Sequence, residues 1–260
     1  MSFPGYLSPD SYQDTPRPVV VIANDYPPNF EIAPHRHRRA QLLYPSSGVM
    51  TVRTQHGTWV VPPLRAVWIP VGVEHQVLTM GRVAMRSVNV ASRAARRLPH
   101  ECCVVGVPPL LRELILRAAQ LPRLYDERGT DARVMQLILD EIRALPVLPL
   151  HLPAPAHRRL ALICDGIRRE PGTDDSLSDW ARRTGSSTRT LARLFRAHTG
   201  MTFSAWRQQA RLFDALTRLA AGEPVTRVAL DLGYASPSTF GAMFRRAFGT
   251  TPSRYFGKEL

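Results

Sequence analysis

The stretch HRHRRAQLLYPSSG, residues 35–48, brings together residue types that bind metal ions. Alternate side chains of a β-strand point to the same face, so His35, His37 and Gln41 are expected to converge on one side of a strand. Imidazole nitrogens and an amide oxygen can hold a divalent transition metal, but these ligand types do not select one metal. The spacing predicts a polar cluster able to take zinc, nickel, iron or manganese.

A second stretch, TRTLARLFRAHT at residues 188–199, carries chemistry suited to a polyanion. Its arginines recur at i, i+4 and i+7 and therefore share one exposed helix face: Arg189, Arg193 and Arg196. The opposite face is apolar: Leu191, Leu194 and Phe195. Arginine pairs with the O6 and N7 atoms of guanine and also grips phosphate. A solvated arginine face without a ligand is the alternative interpretation.

The charge of the whole chain favours the same class of partner. The formal net charge is +13, and the part after residue 154 holds 17 basic and 9 acidic residues. Such an excess favours nucleic acid or an anionic membrane surface. Of the three cysteines, Cys102 and Cys103 are adjacent and Cys164 stands alone, so no disulfide framework is predicted. Ordinary packing explains the adjacent pair better than redox sensing does.

The N-terminal residues have no apolar core of the signal-peptide type, and no stretch approaches the ~18 apolar residues of a membrane span. A soluble, cytoplasmic protein with no membrane partner is therefore expected.

The elements that must position these residues change character along the chain. Short β-branched runs between Val19 and Val90, separated by glycine or proline, predict an antiparallel β-barrel. An apolar period of 3.6 then predicts amphipathic helices over 108–145. Prolines at 146, 149, 153 and 155 are taken to exclude both helix and sheet ladder, which predicts a stiff linker over 146–156 with a solvated His151.

The remaining residues, 157–260, are predicted to be helical and contain a repeat. WARRTGSSTRTLARLFRAHTGMTFSAW (180–206) aligns with VALDLGYASPSTFGAMFRRAFGTTPSRYF (228–256). Each copy has a helix, a turn glycine (Gly185 or Gly233) and a second helix that ends at Gly200 or Gly249. Ser187 or Thr188 in the first copy and Ser236 in the second are predicted to cap the second helices.

Two such copies joined by one long amphipathic helix resemble the AraC/XylS family of transcription regulators over about 100 residues. The resemblance implies that Arg189 and Arg193 face base edges. In the second copy Gly241 and Ala242 offer little to read a base with, so phosphate grip is expected there. The predicted DNA-binding residues are Arg189, Thr190, Arg193, Arg196, Ser236, Ser238, Thr239, Arg245 and Arg246.

The N-terminal half resembles a cupin over about 60 residues. Two histidines one residue apart, with a polar residue and a glycine further on, match the first cupin motif, and Pro70–His75 matches the second, P-x-G-x-x-H. The resemblance adds His75 to His35, His37 and Gln41 as a metal-ligand set. Gln41 replaces the usual glutamate and cannot act as a general base, which disfavours catalysis. Direct contact of the histidines with a small molecule, or a purely structural role, remain alternatives to a metal.

An effector pocket is expected around the same residues. Arg39 shares their strand face if no bulge intervenes, which favours an anionic effector such as a carboxylate. Tyr44, Trp59 and Trp68 are candidates for its apolar wall, with plain barrel core as the simpler interpretation.

The predicted fold is α+β with two domains: a cupin-like barrel with an N-terminal arm (1–107), bracing or dimerising helices (108–145), a linker (146–156) and a double helix-turn-helix (157–260). The predicted function is a DNA-binding regulator, not an enzyme, that acts as a homodimer on an operator, with RNA polymerase as a partner if it activates. The rival interpretations are a metal-dependent cupin enzyme with a DNA-binding appendage and an architectural DNA-binding protein without an effector.

Overall fold

The computed structural model describes residues 9–143, 145, 147–148 and 151–256. Residues 1–8 of the predicted arm, Pro146 and Pro149 of the predicted linker, and Lys258 lie outside the described residues. The chain divides into two compact units. One contains the residues up to Thr54 together with Trp59–His151, and the other contains Gln55–Thr58 together with the residues from Leu152 onward.

The N-terminal unit is an antiparallel sheet followed by two helices, as the apolar periods predict. The strands are β1 (Val19–Tyr26), β2 (Glu31–His35), β3 (Arg39–Thr54), β4 (Gly57–Val61), β5 (Arg65–Ile69), β6 (His75–Ala91), β7 (Cys103–Gly106) and β8 (Val147–Leu148). The spatial order of the main path is β1-β6-β3-β5-β7-β8, and β2 also pairs with β6. The helices are α1 (Pro109–Ala118) and α2 (Thr130–Arg143).

Gly48 and Gly81 lie inside the long strands β3 and β6, where the sequence pattern predicts breaks between strands. Both have positive φ, +77° and +69°, and β3 shifts register against β6 around Gly48. A bulge bends an antiparallel strand without ending it, which is why the predicted breaks are absent. A Cβ at Gly48 would lie 2.1 Å from the carbonyl oxygen of Arg82. The close approach of the two backbones therefore requires glycine there.

The apolar core of this unit lies between the sheet and the two helices. Leu111 and Ile115 of α1 and Ile138 and Leu139 of α2 are buried against strand residues such as Val19. The sheet thus covers most of the helical apolar stripes. Large apolar side chains left exposed on these helices are Leu110 and Leu137.

The proline-rich segment contains short strands, so the prediction that it excludes a sheet ladder is wrong. β8 pairs with β7 through Val105↔Val147 and Val104↔Leu148, and β9 (His151–Pro153) follows. Residues between prolines keep their N–H groups, so two- or three-residue ladders form where the prolines do not interrupt them. His151 is not solvated as predicted, because its ring stacks on Trp59 with centroids 4.5 Å apart.

Both cysteines of the adjacent pair are unsuited to redox chemistry at neutral pH. Burial raises the pKa of Cys102 to about 12 and that of Cys103 to about 11, so both remain thiols. Cys103 packs in the core between sheet and helices.

The C-terminal unit is helical. Its helices are α3 (Arg158–Arg169), α4 (Leu177–Arg183), α5 (Thr188–Thr199), α6 (Phe203–Ala220), α7 (Val225–Asp231), α8 (Pro237–Phe248) and α9 (Pro252–Phe256). The predicted repeat is present as the pairs α4–α5 and α7–α8, joined by α6. No described helix has the length and apolar character needed to cross a membrane.

The two helix-turn-helix copies begin and end their second helices in the same way. The Ser187 hydroxyl accepts a hydrogen bond from the backbone N–H of Thr190, at 3.1 Å, and Ser236 caps α8 in the same manner. Gly200 and Gly249 end α5 and α8 with φ of +68° and +77°. These local hydroxyl and glycine signals explain why the helix ends agree with the sequence prediction.

Candidate functional site

The three predicted histidines meet at one end of the sheet. His35 ends β2 and pairs directly with His75, the first residue of β6. His37 lies in the short connection between β2 and β3, so these residues do not share one continuous strand as predicted. The ring centroids are 4.6 Å apart for His35 and His37 and 4.4 Å apart for His35 and His75. One nitrogen of each imidazole lies within 4.8 Å of the others.

Backbone carbonyls orient two of these rings. The Nδ1 atoms of His35 and His75 lie 2.8 and 3.0 Å from the carbonyl oxygens of Ala33 and Val73. An N–H at Nδ1 donates to the carbonyl and leaves the Nε2 lone pair free, which is the arrangement that orients histidines at metal sites. The His75 Nε2 atom is buried and has no hydrogen-bond partner among the described residues.

The environment keeps the buried imidazoles neutral at physiological pH. Burial, followed by the charges of His35 and His75, lowers the pKa of His37 to about 3. Burial likewise lowers the pKa of His75 to about 4, against the hydrogen bond to Val73, which raises it. Neutral imidazole is the form that binds a metal ion, and at pH 7 neither side chain carries the second proton that would block both of its nitrogens.

Gln41 lines the same cavity as the three histidines. Its Nε2 donates to the Oδ1 of Asn89 at 2.8 Å, and its Oε1 is buried without a hydrogen-bond partner among the described residues. The free volume of the cavity, about 20 Å³, suits one water molecule or one ion rather than an organic ligand. Two unpartnered buried atoms, Gln41 Oε1 and His75 Nε2, thus belong to residues of the predicted ligand set, and the residues present fit a metal ion.

Sequence reasoning missed the polar residues that surround this cluster. The side chain of Gln13, from the N-terminal segment, lies 3.1 Å from the Nδ1 of His37, and the Tyr12 hydroxyl lies 3.3 Å from the Nε2 of Gln41. Ser87 and Asn89 contribute from β6. Ser87 and Asn89 could have been found as polar residues at alternate positions of an otherwise apolar strand. Nothing in the sequence marked Tyr12 and Gln13.

The predicted effector residues do not line this cavity. The Arg39 guanidinium donates to the carbonyl oxygens of Thr15, at 3.1 Å, and Arg17, at 2.6 Å, so its charge is held by the N-terminal segment. Tyr44 and Trp68 lie in the core between sheet and helices, and Trp59 packs on His151. The structure therefore brings His35, His37, His75 and Gln41 together and leaves the four effector candidates elsewhere: Arg39, Tyr44, Trp59 and Trp68.

The arginine face predicted from helical spacing is present on α5. Leu191 and Phe195 are fully buried, and Leu194 is half-buried. The three arginines are exposed and form no ion pair with any acidic residue in the part of the chain that the structure describes: Arg189, Arg193 and Arg196. Thr190 is half-buried, and its hydroxyl lies 2.8 Å from that of Ser187.

The second copy presents a different surface. Arg245 and Arg246 are exposed near the end of α8 and likewise have no ion pair with a described acidic residue. Ser238 and Thr239 are exposed in the first turn, while Ser236 is half-buried and occupied as the helix cap. Gly241 is half-buried with no heavy atom within 4 Å of a Cβ position, so packing does not require its glycine.

The free arginines contrast with the charge pairing elsewhere in the C-terminal unit. All described acidic residues of this unit except Glu170 form ion pairs, and none lies on α5 or α8. Arg218 alone joins α6 to α7 through Glu223, at 2.7 Å, and Asp231. Acidic charge is therefore neutralised by arginines outside α5 and α8, and the positive charge on these two helices remains unpaired.

Two family models match the chain. Residues 17–138 match an AraC-like ligand binding domain, and residues 180–258 match a helix-turn-helix domain. The first match spans strands β1 to β7, α1 and most of α2, and the second spans both helix-turn-helix copies.

Similar proteins include named regulators. The chain is 35% identical over 224 residues to the HTH-type transcriptional regulator NimR of Escherichia coli (strain K12), covering 86% of this chain and 82% of that protein. The regulatory protein SoxS of the same strain is 42% identical over 76 residues, which are 29% of this chain and 71% of SoxS. The solved structure of ToxT from Vibrio cholerae O395 has a TM-score of 0.40 and 10% identity, with 94% of this chain and 99% of that chain covered.

The residues that carry the arginine face and the histidine cluster thus lie in two segments that match separate family models, and a named regulator is 35% identical over 86% of the chain. The chain belongs to the AraC family of helix-turn-helix transcriptional regulators and has an N-terminal ligand-binding domain.

Proposed function

We propose that this regulator selects its operator through the arginine face of α5. We also propose that an ion held by the histidine cluster changes its affinity for the operator. The observation that carries the proposal is the set of exposed guanidiniums on α5, which have no described acidic partner in a unit whose acidic residues, except Glu170, pair with other arginines. Fixed, unpaired positive charge on the second helix of a helix-turn-helix suits the major groove of DNA.

The two helix-turn-helix copies have different roles in DNA binding. Arg189 and Arg193 lie one helical turn apart and would reach base edges, since a bidentate arginine is the commonest reader of guanine. On α8 the central positions hold Gly241 and Ala242, so the exposed Arg245 and Arg246 would contact phosphate instead, together with Ser238, Thr239 and, less freely, the capping Ser236.

A binding-site selection from random duplex DNA tests the division. The wild-type protein should enrich one sequence, and an Arg189→Ala/Arg193→Ala variant should lose that preference. If the variant enriched the same sequence as strongly, base reading would not reside on α5, whereas no enrichment by the wild type would support an architectural protein instead.

The ion proposal rests on the donor set of the cavity. His35, His37, His75 and the Oε1 of Gln41 would hold one divalent transition metal, which would supply positive charge and tie β2, β3 and β6 together at one end of the sheet. The support is the neutral state of the buried imidazoles and the two unpartnered donor atoms in a cavity of ionic size. Zinc, nickel, iron and manganese all accept such ligands.

Elemental analysis of untagged protein purified without chelator tests the ion proposal. We expect about one equivalent of a transition metal in the wild type, its loss in a His35→Ala/His37→Ala variant, and its retention in His100→Ala, which removes an exposed histidine. Absence of metal from the wild type, even after incubation with each candidate ion, would contradict the proposal and make the histidines pocket lining.

The same geometry supports a regulator rather than an enzyme. The Gln41 amide cannot serve as a general base, and a cavity with room for one water molecule leaves no space for a substrate beside an ion. Arg39 donates to backbone carbonyls of the N-terminal segment, so its charge is not available to an anionic effector beside the histidines.

Partners beyond the operator belong to the same proposal. Homodimerisation through α1 and α2 is part of this proposal, and Leu110 and Leu137 are the large apolar side chains that these helices leave exposed. If the protein activates transcription, RNA polymerase is the partner expected at the operator. Such a regulator acts where the DNA is, which we propose is the cytoplasm.

A further inference from the structure

A groove separate from the histidine cavity lies between the start of β1 and α2. It has a volume of about 400 Å³ and is walled by Pro18 and Val19, by Arg93 after β6, by the loop Tyr125–Gly129, and by the first half of α2. Sites for small molecules commonly enclose about 300–1,000 Å³. The groove shares no lining residue with the histidine cavity.

The floor of the groove is apolar. Val19, Met135 and Leu139 are buried, with 0%, 3% and 3% of their surfaces exposed, and belong to the core that joins the sheet to the helices. Ala132, half-buried on α2, extends this surface outward. An apolar molecule in the groove would therefore contact the seam at which α2 packs on β1.

The rim of the groove is positively charged. Arg93, Arg128 and Arg133 are exposed, and no described acidic side chain lies within ion-pair distance of their guanidiniums. Arg133 donates one N–H to the hydroxyl of Thr130, at 3.0 Å. The acidic lining residue, Glu127, faces Arg17 at 3.7 Å, so it does not neutralise these three.

We propose that this groove binds a small molecule with a carboxylate group and an apolar body. The carboxylate would be held by guanidiniums of the rim, because arginine binds carboxylate through two parallel hydrogen bonds, and the apolar body would cover the floor. A ligand bound in the groove would change how α2 packs against β1. This gives the ligand-binding domain a second input, independent of the ion proposed for the histidine cavity.

Calorimetric titration of metal-stripped, full-length protein tests the site. The probe is 4-tert-butylbenzoate, and its uncharged counterpart, 4-tert-butylbenzamide, has the same apolar body. The charge variant is Arg93→Gln/Arg128→Gln/Arg133→Gln. The control is Arg97→Gln, which removes an exposed arginine of the same segment outside the groove. Ala132→Met narrows the floor without changing charge.

The expected result is saturable binding of one benzoate per chain to the wild type and the control. Binding should be at least about tenfold weaker for the benzamide, for the triple variant and for Ala132→Met. No saturable binding to the wild type, or equal binding by the triple variant, would overturn the proposal. Because the protein is metal-stripped, neither result depends on whether the histidine cluster binds an ion.

Discussion

Replacing one arginine on each recognition helix should weaken DNA binding in two distinguishable ways. Arg193→Gln removes a predicted base contact from α5, and Arg246→Gln removes a predicted phosphate contact from α8. Both side chains are exposed and free of ion pairs with described acidic residues, so each change should alter the free energy of unfolding by less than about 0.5 kcal/mol. Losses in binding can then be assigned to contacts with DNA.

The magnitudes follow from the five free guanidiniums of α5 and α8. A bidentate arginine–guanine pair contributes about 1–3 kcal/mol of discrimination, so Arg193→Gln should weaken the selected operator about 5- to 150-fold and a scrambled duplex far less. Because Arg189 and Arg193 are assigned to bases, Arg196, Arg245 and Arg246 are left to contact phosphate. Three such contacts predict a slope of log K against log salt near −2.7 for one bound domain, at about 0.9 for each contact. Arg246→Gln should reduce that slope by about 0.9 on both duplexes.

Fluorescence anisotropy on the selected and the scrambled duplex, between about 50 and 200 mM salt, measures both effects. Arg169→Gln, an exposed arginine at the end of α3, is the matched control and should bind as the wild type does. If Arg193→Gln and Arg246→Gln lost the same affinity on both duplexes, with the same change of slope, the assignment of base reading to α5 would be refuted.

Three further predictions concern the fold. The pKa values of His37 and His75, lowered to about 3 and 4, keep both imidazoles neutral when folded, so protons bind the unfolded chain first as pH falls below 6.5. The free energy of unfolding of chelated protein should therefore fall by about 2 kcal/mol for each imidazole between pH 7 and 5, and an unchanged value in urea titrations would contradict this. Gly48→Ala should cost more stability than Gly72→Ala, since both glycines have φ of +77° but only the first added Cβ meets a carbonyl oxygen; equal melting temperatures would refute the steric argument. Gly241→Ala should raise the stability of the C-terminal unit by about 0.5–1 kcal/mol, because alanine favours a helix and the position is open, and a lower melting temperature would show a packing role that the structure does not contain.

The C-terminal unit was largely predictable because its signals are local. The cap at Ser187 acts on an N–H three residues away, and Gly200 ends the same helix through its own φ. The arginine face follows from helical spacing alone. Predictions from local signals were wrong where pairing with a distant strand determined the structure. Gly48 bends β3 into a bulge against β6 instead of ending it, and β8 forms a ladder within a proline-rich segment.

By itself, the sequence determined which residues carry chemistry: two closely spaced histidines, the arginine row of α5 and the repeated helix-turn-helix. Only the tertiary structure decided which of them meet. His35 faces His75 because antiparallel pairing joins β2 to β6 across 40 positions, a register that no local pattern encodes. Arg39 lies close to the histidines in sequence, yet carbonyl groups of a distant segment hold its guanidinium away from them. Strand register and long-range hydrogen bonds depend on the energy of the whole packed unit, and therefore become visible only once the chain is folded.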